Sequence, residues 1–252
     1  MTTPPRILSI AGSDSSGGAG IQADIKTVTM LGGYAMTAIT AVTAQNTCGV
    51  TMVEALSPEM VAAQIDACIG DIGVDAVKIG MLGSPEIAAV VAERLERLGV
   101  AVVFDPVMIA TSGSILADAA TIAGFERLMQ LATLTTPNVP ELEALGGPAA
   151  MASRGITYLA KGGDADGPSV EDVLVVPGAE PRVWSAPRIL TRHTHGTGCT
   201  LSSAIACGLG AGLDLIAAIE QARGFVRAAL QAAPSFGAGS GPLGHQAVQS
   251  SS

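Results

Sequence analysis

The chain has few aromatic residues, few charged residues and no long apolar run. Aromatic residues make up 3% and charged residues 14% of its 252 positions, whereas hydrophobic residues make up 48%. This hydrophobic content excludes a disordered chain and predicts a globular core, which must be built from Ala, Val, Ile and Leu. The 31 glycines indicate many tight turns or close backbone approaches. Together these proportions favour an α/β protein over an all-β protein.

The balance of charge limits the partners that the protein is expected to have. The formal net charge is −9 with 13 basic residues, which argues against a broad surface for nucleic acid or for an anionic membrane. No run of eighteen apolar residues occurs, and the opening MTTPPRILSIAGS has no basic stretch followed by a long apolar one. We therefore expect a cytoplasmic protein without nucleic-acid or membrane partners.

None of the four cysteines has the spacing of metal ligands. The chain contains no CxxC pair, so the sequence predicts free thiols in a reducing compartment. Three cysteines lie among small or apolar residues, which is typical of buried thiols, and these are Cys48, Cys68 and Cys207. Only Cys199 has unusual neighbours, because it follows a run of glycine and threonine.

Short apolar runs alternate with helical segments along the chain. The predicted strands are Arg6–Ala11, Ala35–Thr43, Ala76–Ile79, Ala101–Phe104, Leu134–Thr136 and Thr157–Ala160. The predicted helices are Ala19–Leu31, Pro58–Ile69, Pro85–Leu98, Asp118–Leu131, Val139–Leu145, Thr200–Ala211 and Leu215–Ala233. Continuously apolar strands separated by helices predict βαβ units and a mostly parallel sheet that is covered on both faces.

A small β addition and an undivided chain complete the predicted organisation. Val173–Val176 and Arg182–Trp184 predict two added strands, with Pro177-Gly178 marking the turn between them. No linker divides the chain, so we expect one domain over residues 1–252. The ends at 1–4 and 246–252 are expected to be flexible.

A glycine-rich segment, GSDSSGGAG, begins at Gly12 between the first predicted strand and helix. Glycines at such a turn let the backbone approach a ligand, and the helix N-terminus favours anions. The segment lacks the lysine of GxxxxGK[ST] and does not match GxGxxG, so a P-loop NTPase and a dehydrogenase both lose their fingerprint. A purely structural turn explains the loop equally well. Asp24, early in the following helix, is on this reading only a partner of the helix dipole.

A second segment, HTHGTGCT, begins at His193 and precedes an Ala/Leu/Ser helix. Gly196 and Gly198 expose successive N–H groups at the helix N-terminus, which predicts an anion hole for a phosphoryl group. A thiol in this position is expected to have a lowered pKa, which makes Cys199 a candidate base or nucleophile; the alternative is a small buried side chain. The histidines His193 and His195 lack a third ligand, which predicts a capping or loop role rather than a metal site.

Ionisable side chains follow three further predicted strands. Asp105 ends one strand in DPVM, and Glu141 follows another in TPNVPELEAL. Because open α/β sheets bind ligands at the carboxyl ends of their strands, both carboxylates are candidates for Mg²⁺ with waters and phosphates. Lys161 closes a third strand, where a phosphate is its expected partner. The alternatives are an Asp-Pro turn, a helix-capping Glu141 and a solvated lysine.

Seven segments of the chain follow one another in a characteristic order, namely GSDSSGGAGIQADIKT, AITAVTAQNT, KIGML, DPVM, TPNVPELEAL, KGG and THGTGCTLSSAIA. In this order they resemble the segments of the hydroxymethylpyrimidine/phosphomethylpyrimidine kinases of the ribokinase-like superfamily. The resemblance covers residues 6–245 and implies a three-layer α/β/α ribokinase-like fold with a mostly parallel central sheet and a small β addition. It implies transfer of the ATP γ-phosphoryl group, with Mg²⁺, to 4-amino-5-hydroxymethyl-2-methylpyrimidine and then to its monophosphate in thiamine synthesis.

The resemblance also implies roles for individual residues. As the assembly we expect a homodimer. Cys199 would accept the hydroxyl proton. The backbone from Gly196 to Cys199, which includes Thr197 and Gly198, would stabilise the transferring phosphoryl group. Asp24 and Gln45 would hydrogen-bond the aminopyrimidine. The residues that would shape its slot are Gly12, Met81 and Val107. The residues implied for ATP are Lys161, Asn138 and Thr194, and those implied for Mg²⁺ are Asp105 and Glu141.

Three departures from the family pattern concern the nucleotide side of the site. DPVM is followed by a segment with Thr111 where the family commonly has AKSG, and KGG is followed by Asp164 where the family commonly has histidine. The stretch between Glu141 and Lys161 is expected to lack about one helix. A pyridoxal kinase of the same superfamily and a catalytically silent pyrimidine-binding protein remain the alternatives.

Overall fold

The computed structural model describes residues 3–109, 113 and 116–248. The strands are β1 (Arg6–Asp14), β2 (Tyr34–Asn46), β3 (Gly49–Ala55), β4 (Ala76–Ile79), β5 (Ala101–Phe104), β6 (Leu134–Thr135), β7 (Tyr158–Ala160), β8 (Ser169–Val175) and β9 (Arg182–Pro187). They form one sheet in the order β3-β2-β1-β4-β5-β6-β7-β8-β9. The six strands from β2 to β7 in this order are parallel, and β3, β8 and β9 pair antiparallel.

Eight α-helices occur in the described part of the chain. They are α1 (Gly20–Met30), α2 (Pro58–Ala67), α3 (Pro85–Leu95), α4 (Ala119–Leu131), α5 (Val139–Ala144), α6 (Gly147–Ser153), α7 (Thr197–Gly210) and α8 (Leu215–Gln231). Capping residues fix several of the starts, because a side-chain oxygen accepts a hydrogen bond from an otherwise unpaired N–H group of the first turn. Ser57, Ser84, Asp118 and Asp214 cap α2, α3, α4 and α8 in this way.

The sheet is covered by helices on both faces. One apolar core joins the sheet to α1, α7 and α8, and a second joins it to α2, α3 and α4. Successive residues of β5 show how one strand serves both cores, since Val103 belongs to the first and Phe104 to the second. Phe104 also meets Phe125 of α4 edge to face, at 5.1 Å between ring centroids. This arrangement confirms the expected three-layer α/β/α fold with its antiparallel β addition.

The structure corrects the predicted elements at three places. The sequence analysis missed β3, because nearly all of its side chains are exposed and it has no buried apolar face to produce a pattern. The helix expected to be lacking between Glu141 and Lys161 is present as α6, a seven-residue helix in GPAAMAS. Helix α7 begins at Thr197 instead of Thr200, so the glycine-threonine run is part of its first turn.

Parts of the two ends and of the segment after DPVM lie outside the described residues. They include residues 1, 2 and 249–252 of the ends that were expected to be flexible, and also Thr111. Near the C-terminus, His245–Ala247 forms a 3₁₀ turn in which His245 is buried. None of the helices in residues 3–109, 113 and 116–248 is long and apolar enough to cross a membrane.

Candidate active site

A cavity of about 830 Å³ opens at the carboxyl ends of the parallel strands. Its walls come from the ends of β1, β2 and β4 to β7, together with the first turn of α7. The strand order reverses at β1, which lies between β2 and β4. Open α/β sheets bind ligands at such a reversal, and pockets of roughly 300–1,000 Å³ are usual for small molecules. The cavity is therefore the candidate active site.

The first turn of α7 presents backbone N–H groups to this cavity. Gly196 precedes the helix with φ of +87°, and a Cβ atom here would clash with the carbonyl oxygen of Gly18. A Cβ atom at Gly198 would lie 3.2 Å from Nζ of Lys161 and 3.4 Å from Oδ2 of Asp105. The first N–H groups of a helix have no acceptor within it, and the helix dipole adds positive potential. The predicted anion hole thus lies against a lysine and a carboxylate.

The sequence suggested that the glycine-rich loop before α1 brings its backbone to a ligand. In the structure, N–H groups of this loop are bound within the loop itself. The carboxylate of Asp14 accepts them instead, from Ser16 at 2.8 Å, Gly18 at 3.0 Å and Ala19 at 2.8 Å. Burial opposes the charge, but hydrogen bonds from His195, Ser16 and the backbone outweigh it and lower the pKa of Asp14 to about 2. The loop is therefore a structural turn that is closed by its own carboxylate.

His195 connects the glycine-rich loop with the start of α7. Its Nε2 atom lies 2.9 Å from Oδ2 of Asp14 and 3.3 Å from Nε2 of Gln45. A Cβ atom at Gly18 would clash with the imidazole ring, so this position has room only for glycine. No group of three metal-ligating side chains occurs in the part of the chain that the structure describes. Through these contacts the side chain of His195 joins the two loops.

Three ionisable side chains meet at the ends of β5, β6 and β7. The Nζ atom of Lys161 lies 2.6 Å from Oδ1 of Asp105 and 3.8 Å from Oε2 of Glu141. Burial raises the pKa of Glu141 to about 7, and the neighbouring Lys161 only partly opposes this shift. Asp105 raises the pKa of Lys161 despite the burial of the ammonium group. The structure therefore brings together the three residues that the sequence places after separate strands.

Asn138 and Glu141 cap helix α5 reciprocally. The Glu141 N–H donates to Oδ1 of Asn138 at 2.9 Å, and the Asn138 N–H donates to Oε2 of Glu141 at 2.8 Å. The capping role that was an alternative for Glu141 is thus present. Both residues also line the cavity, as does Thr194.

The pKa predicted for Cys199 is wrong in direction. Burial is the largest influence and raises the pKa of the thiol to about 11, with Asp24 and Asp105 adding to the shift. Lys78 and a hydrogen bond from the Gly20 N–H act in the opposite direction but do not compensate. The sequence showed the helix N-terminus and not the desolvation by tertiary packing, which has the larger effect here. The resting thiol is protonated at neutral pH.

The predicted contact between Asp24 and the pyrimidine is also wrong. Asp24 is fully buried and does not line the cavity. Its carboxylate holds Nζ of Lys78 at 2.9 and 3.0 Å and accepts hydrogen bonds from Ser9 at 2.5 Å and Ser203 at 2.7 Å. These bonds occupy the acceptor positions that a ligand would need. Lys78 lines the cavity instead.

The other residues predicted for the pyrimidine do line the cavity. They are Gly12, Gln45, Met81 and Val107. A register shift between Ala44 and Gln45 interrupts the pairing of β2 with β3, and such bulges re-aim side chains beside active sites. A Cβ atom at Gly12 would clash with the end of the Met81 side chain. This glycine therefore gives Met81 its place at the cavity wall.

The far end of the cavity has two features that the sequence analysis missed. Arg188 donates to the carbonyl oxygens of Gly163 and Gly167, both at 2.8 Å, and so holds the loop that contains Asp164. Asp172 accepts the Gly162 N–H at 3.1 Å and is paired with an arginine of α8. Apolar side chains complete this end, namely Val170, Ile189, Val226 and Leu230. The sequence gives little sign of the roles of Arg188 and Asp172, because their partners lie in other elements of the fold.

Two features together define a small-molecule kinase: the three-layer fold, and the N-terminus of α7 with Lys161 beside it. A family model described as phosphomethylpyrimidine kinase matches residues 14–244. The hydroxymethylpyrimidine/phosphomethylpyrimidine kinase of Rhizobium meliloti is 46% identical over 94% of this chain and 96% of its own length. The enzyme of that name from Streptomyces coelicolor is 44% identical over 96% and 95%. The chain belongs to the phosphomethylpyrimidine kinase family, which confirms the resemblance.

Solved structures agree with this assignment. The phosphomethylpyrimidine kinase of Clostridium difficile has a TM-score of 0.74 at 39% identity, covering 88% of this chain and 97% of its own. The pyridoxal kinase of Staphylococcus aureus in complex with pyridoxal has a TM-score of 0.88 at 29% identity, covering 98% and 95%. The fold is therefore shared with a phosphomethylpyrimidine kinase and with a pyridoxal kinase.

Proposed function

We propose that the protein transfers the γ-phosphoryl group of ATP to 4-amino-5-hydroxymethyl-2-methylpyrimidine and then to its monophosphate, in thiamine synthesis. The observation that carries this proposal is the meeting of the α7 N-terminus with Lys161 and Asp105 at one wall of the cavity. Phosphoryl transfer needs little covalent chemistry from the protein, because positioning and electrostatic stabilisation supply most of the rate. Family membership supports the choice of pyrimidine.

The two ends of the cavity support separate roles for the two substrates. Gln45 and Met81 lie near the glycine-rich loop, where the pyrimidine would bind with Gly12 and Val107 shaping its slot. Lys161 and Asn138 pair beside β8, which carries Val170 of the apolar end, and ATP would bind there, with Thr194 also lining the cavity. Asp24 has no role in direct binding in this proposal, since its carboxylate is buried with Lys78. The hydroxymethyl group would point to the first turn of α7.

Asp105 and Glu141 would hold Mg²⁺ together with waters and phosphate oxygens. Both carboxylates are buried and border the cavity, and Mg²⁺ commonly takes one or two protein carboxylates and completes its shell with water and phosphate. The donor set therefore fits the ion. Bound Mg²⁺ would neutralise phosphate charge, while Lys161 orients the same phosphates from its position beside Asp105.

Cys199 would take the proton that the substrate hydroxyl group loses. The substrate oxygen bonds to the γ-phosphorus, the bond from that phosphorus to the ADP oxygen breaks, and the hydroxyl proton passes to the sulfur. Because the resting thiol has a pKa of about 11, its own proton would first pass to water, so that the thiolate is the species that accepts the hydroxyl proton. The backbone N–H groups of Gly198 and Cys199 would stabilise the transferring group throughout, with Gly196 and Thr197 setting their direction.

Steady-state ADP formation with two ring alcohols tests the substrate assignment. A pyridoxal kinase is the second candidate, favoured by the TM-score of 0.88 with the enzyme of Staphylococcus aureus. We expect a higher kcat/KM with the aminopyrimidine than with pyridoxal, and equal or better turnover of pyridoxal would overturn our choice. Calorimetry that shows tight pyrimidine binding without any ADP formation would support a silent binding protein instead.

A homodimer in the cytoplasm belongs to the same proposal, with no nucleic-acid or membrane partner. Strand β3 ends the sheet and exposes Met52 and Val53, and exposed apolar edge strands commonly pair or become covered. Light scattering after size-exclusion chromatography tests the dimer, and a monomeric mass at micromolar concentration would contradict it.

A further inference from the structure

A buried cation lies beneath the first turn of α7. Lys78 is the charged residue of strand β4, AVKI, and its side chain has no exposed surface. Moving an ammonium group out of water costs several kcal/mol unless a partner compensates. Asp24 of α1 is that partner, with both carboxylate oxygens within 3.0 Å of Nζ. A lysine is seldom buried in a strand unless a carboxylate compensates its charge. The presence of this buried pair therefore needs a functional explanation.

The lysine is held in place from three other elements. Asp24 of α1 also accepts hydrogen bonds from Ser9 of β1 and Ser203 of α7. Ser203 lies four residues after Cys199, so both side chains are on the same face of α7. A Cβ atom at Gly80 would lie 2.8 Å from Nζ of Lys78, so the chain leaves room for the ammonium group at the end of β4.

Asp24 connects Lys78 to the face of α7 that carries Cys199, because it binds Nζ of Lys78 and accepts a hydrogen bond from Ser203. Both Lys78 and Cys199 are part of the cavity wall, whereas Asp24 is behind them. The charged groups that act on Cys199 come from four directions: Lys78 of β4, Asp24 of α1, Asp105 after β5 and Lys161 after β7. Lys161 faces two carboxylates, Asp105 and Glu141, whereas Lys78 faces only Asp24. Lys78 is therefore the less neutralised of the two cations, and its charge opposes the effect of burial on the thiol.

We infer that Lys78 is a positioning residue for Cys199, whose ammonium group stabilises negative charge at the sulfur, and that Asp24 holds and partly neutralises this ammonium. The consequence for phosphoryl transfer rests on the proposed function, in which Cys199 takes a proton. The effect on the thiol itself does not depend on that function. The ammonium group of Lys78 and the carboxylate of Asp24 have opposite effects on negative charge at the sulfur. Replacing each in turn therefore distinguishes an electrostatic effect from a packing defect.

Alkylation of Cys199 by iodoacetamide without substrates tests the inference directly. The rate is measured at pH 8.5 by peptide mass spectrometry and divided by the rate of the exposed Cys48 in the same sample. We expect Lys78→Met to slow Cys199 by about tenfold, which corresponds to one pKa unit of the thiol. We expect Asp24→Asn to accelerate it. A packing defect would accelerate alkylation in both variants, and that result, or an unchanged rate in Lys78→Met, would overturn the inference.

A double variant keeps the test decisive if Lys78→Met does not fold. The single variant Lys78→Met leaves the Asp24 carboxylate buried without its partner. The double variant, Asp24→Asn with Lys78→Met, removes both charges at similar volume. Circular dichroism checks the fold of each protein. Compared with Asp24→Asn alone, the double variant must alkylate more slowly, because it lacks the ammonium group. Equal rates in these two proteins would contradict the inference.

Steady-state kinetics separate the inference from the proposed function. We expect Lys78→Met to lower kcat by about tenfold or more while KM for the pyrimidine changes less than about threefold. If alkylation slows as expected while kcat stays unchanged, Lys78 acts on the thiol and the proposed base role of Cys199 fails. If alkylation is unchanged, the inference fails and the proposed function remains.

Discussion

Nε2 of His195 lies 2.9 Å from Oδ2 of Asp14, across a separation of 181 residues in the chain. The bond joins the glycine-rich loop after β1 to the segment that starts α7. Two glycines make the approach possible, because a Cβ atom at Gly18 would meet the His195 ring and one at Gly196 would meet the Gly18 carbonyl group. The two loops therefore fix each other, and with them the position of the anion hole.

Gly196→Ala should abolish most activity and destabilise the protein. The residue has a φ of +87°, and an added Cβ atom would clash with the Gly18 carbonyl oxygen. We expect kcat to fall by at least about a hundredfold, and left-handed strain alone costs on the order of 1–3 kcal/mol. Gly212→Ala is the matched control, because Gly212 has the same φ but open space around it. Equal kcat and equal thermal stability in the two variants would refute the steric account.

Asp14→Asn should lower stability near neutral pH but not in strong acid. The pKa of Asp14 is about 2 in the folded protein, below its ordinary value of 3.8. A depressed carboxylate pKa gives stability that is present above pH 4 and lost as pH falls towards 2. The shift corresponds to about 2 kcal/mol.

Urea denaturation at pH 6 and at pH 2.5 measures this difference. The gap between wild type and Asp14→Asn should be present in full at pH 6 and should shrink to about a third at pH 2.5. Asp166→Asn, at an exposed position of the loop after β7, should show no gap at either pH. A gap of equal size at both pH values would mean that Asp14 acts through packing and not through its charge.

Glu141→Gln should raise the Mg²⁺ concentration needed for half-maximal rate. Burial gives Glu141 a pKa of about 7, so the carboxylate loses its charge as pH falls below 7. The Mg²⁺ concentration that the wild type needs for half-maximal rate should therefore fall between pH 6 and pH 8, and Glu141→Gln should lack this fall. We expect about a tenfold increase in the Mg²⁺ requirement at pH 8. Glu143→Gln, exposed on the same helix, is the control, and an effect of equal size there would remove Glu141 from the metal site.

Cys199→Ala should lose most phosphoryl transfer while it retains pyrimidine binding. The thiol is proposed as proton acceptor, whereas the slot for the ring is formed by other residues. We expect kcat to fall by about 10²–10⁴-fold, the usual contribution of a general base, with the calorimetric Kd within about threefold. Cys48→Ala, at an exposed position, should have no effect. Near-normal turnover of Cys199→Ala would leave the anion hole as the main catalytic contributor.

The sequence predicts well those elements that are set by local patterns. Strands β4 and β5 have the bounds expected from their apolar runs, since both are buried between two helical layers. Helices α2 and α3 start where serine and proline predict. Strand β3 could not be found in the same way, because its exposed side chains form no apolar pattern.

The errors at the candidate site have a common physical origin. Asp24 and Lys78 pair across 54 positions, so neither sequence neighbourhood reveals that the carboxylate is already occupied. The pKa of Cys199 depends on how much protein packs around the sulfur, which a helix N-terminus does not reveal. The grouping of Asp105, Glu141 and Lys161, by contrast, could be predicted. All three follow parallel strands, and the carboxyl ends of parallel strands meet at one edge of the sheet.

Phosphorus NMR of the protein with ATP, Mg²⁺ and the aminopyrimidine alcohol tests the central claim most directly. The account predicts that ATP signals are replaced by those of ADP and of a pyrimidine monophosphate, and that a pyrimidine diphosphate follows. ATP that stays intact in the presence of the alcohol, while calorimetry of the same sample shows that the alcohol binds, would contradict it.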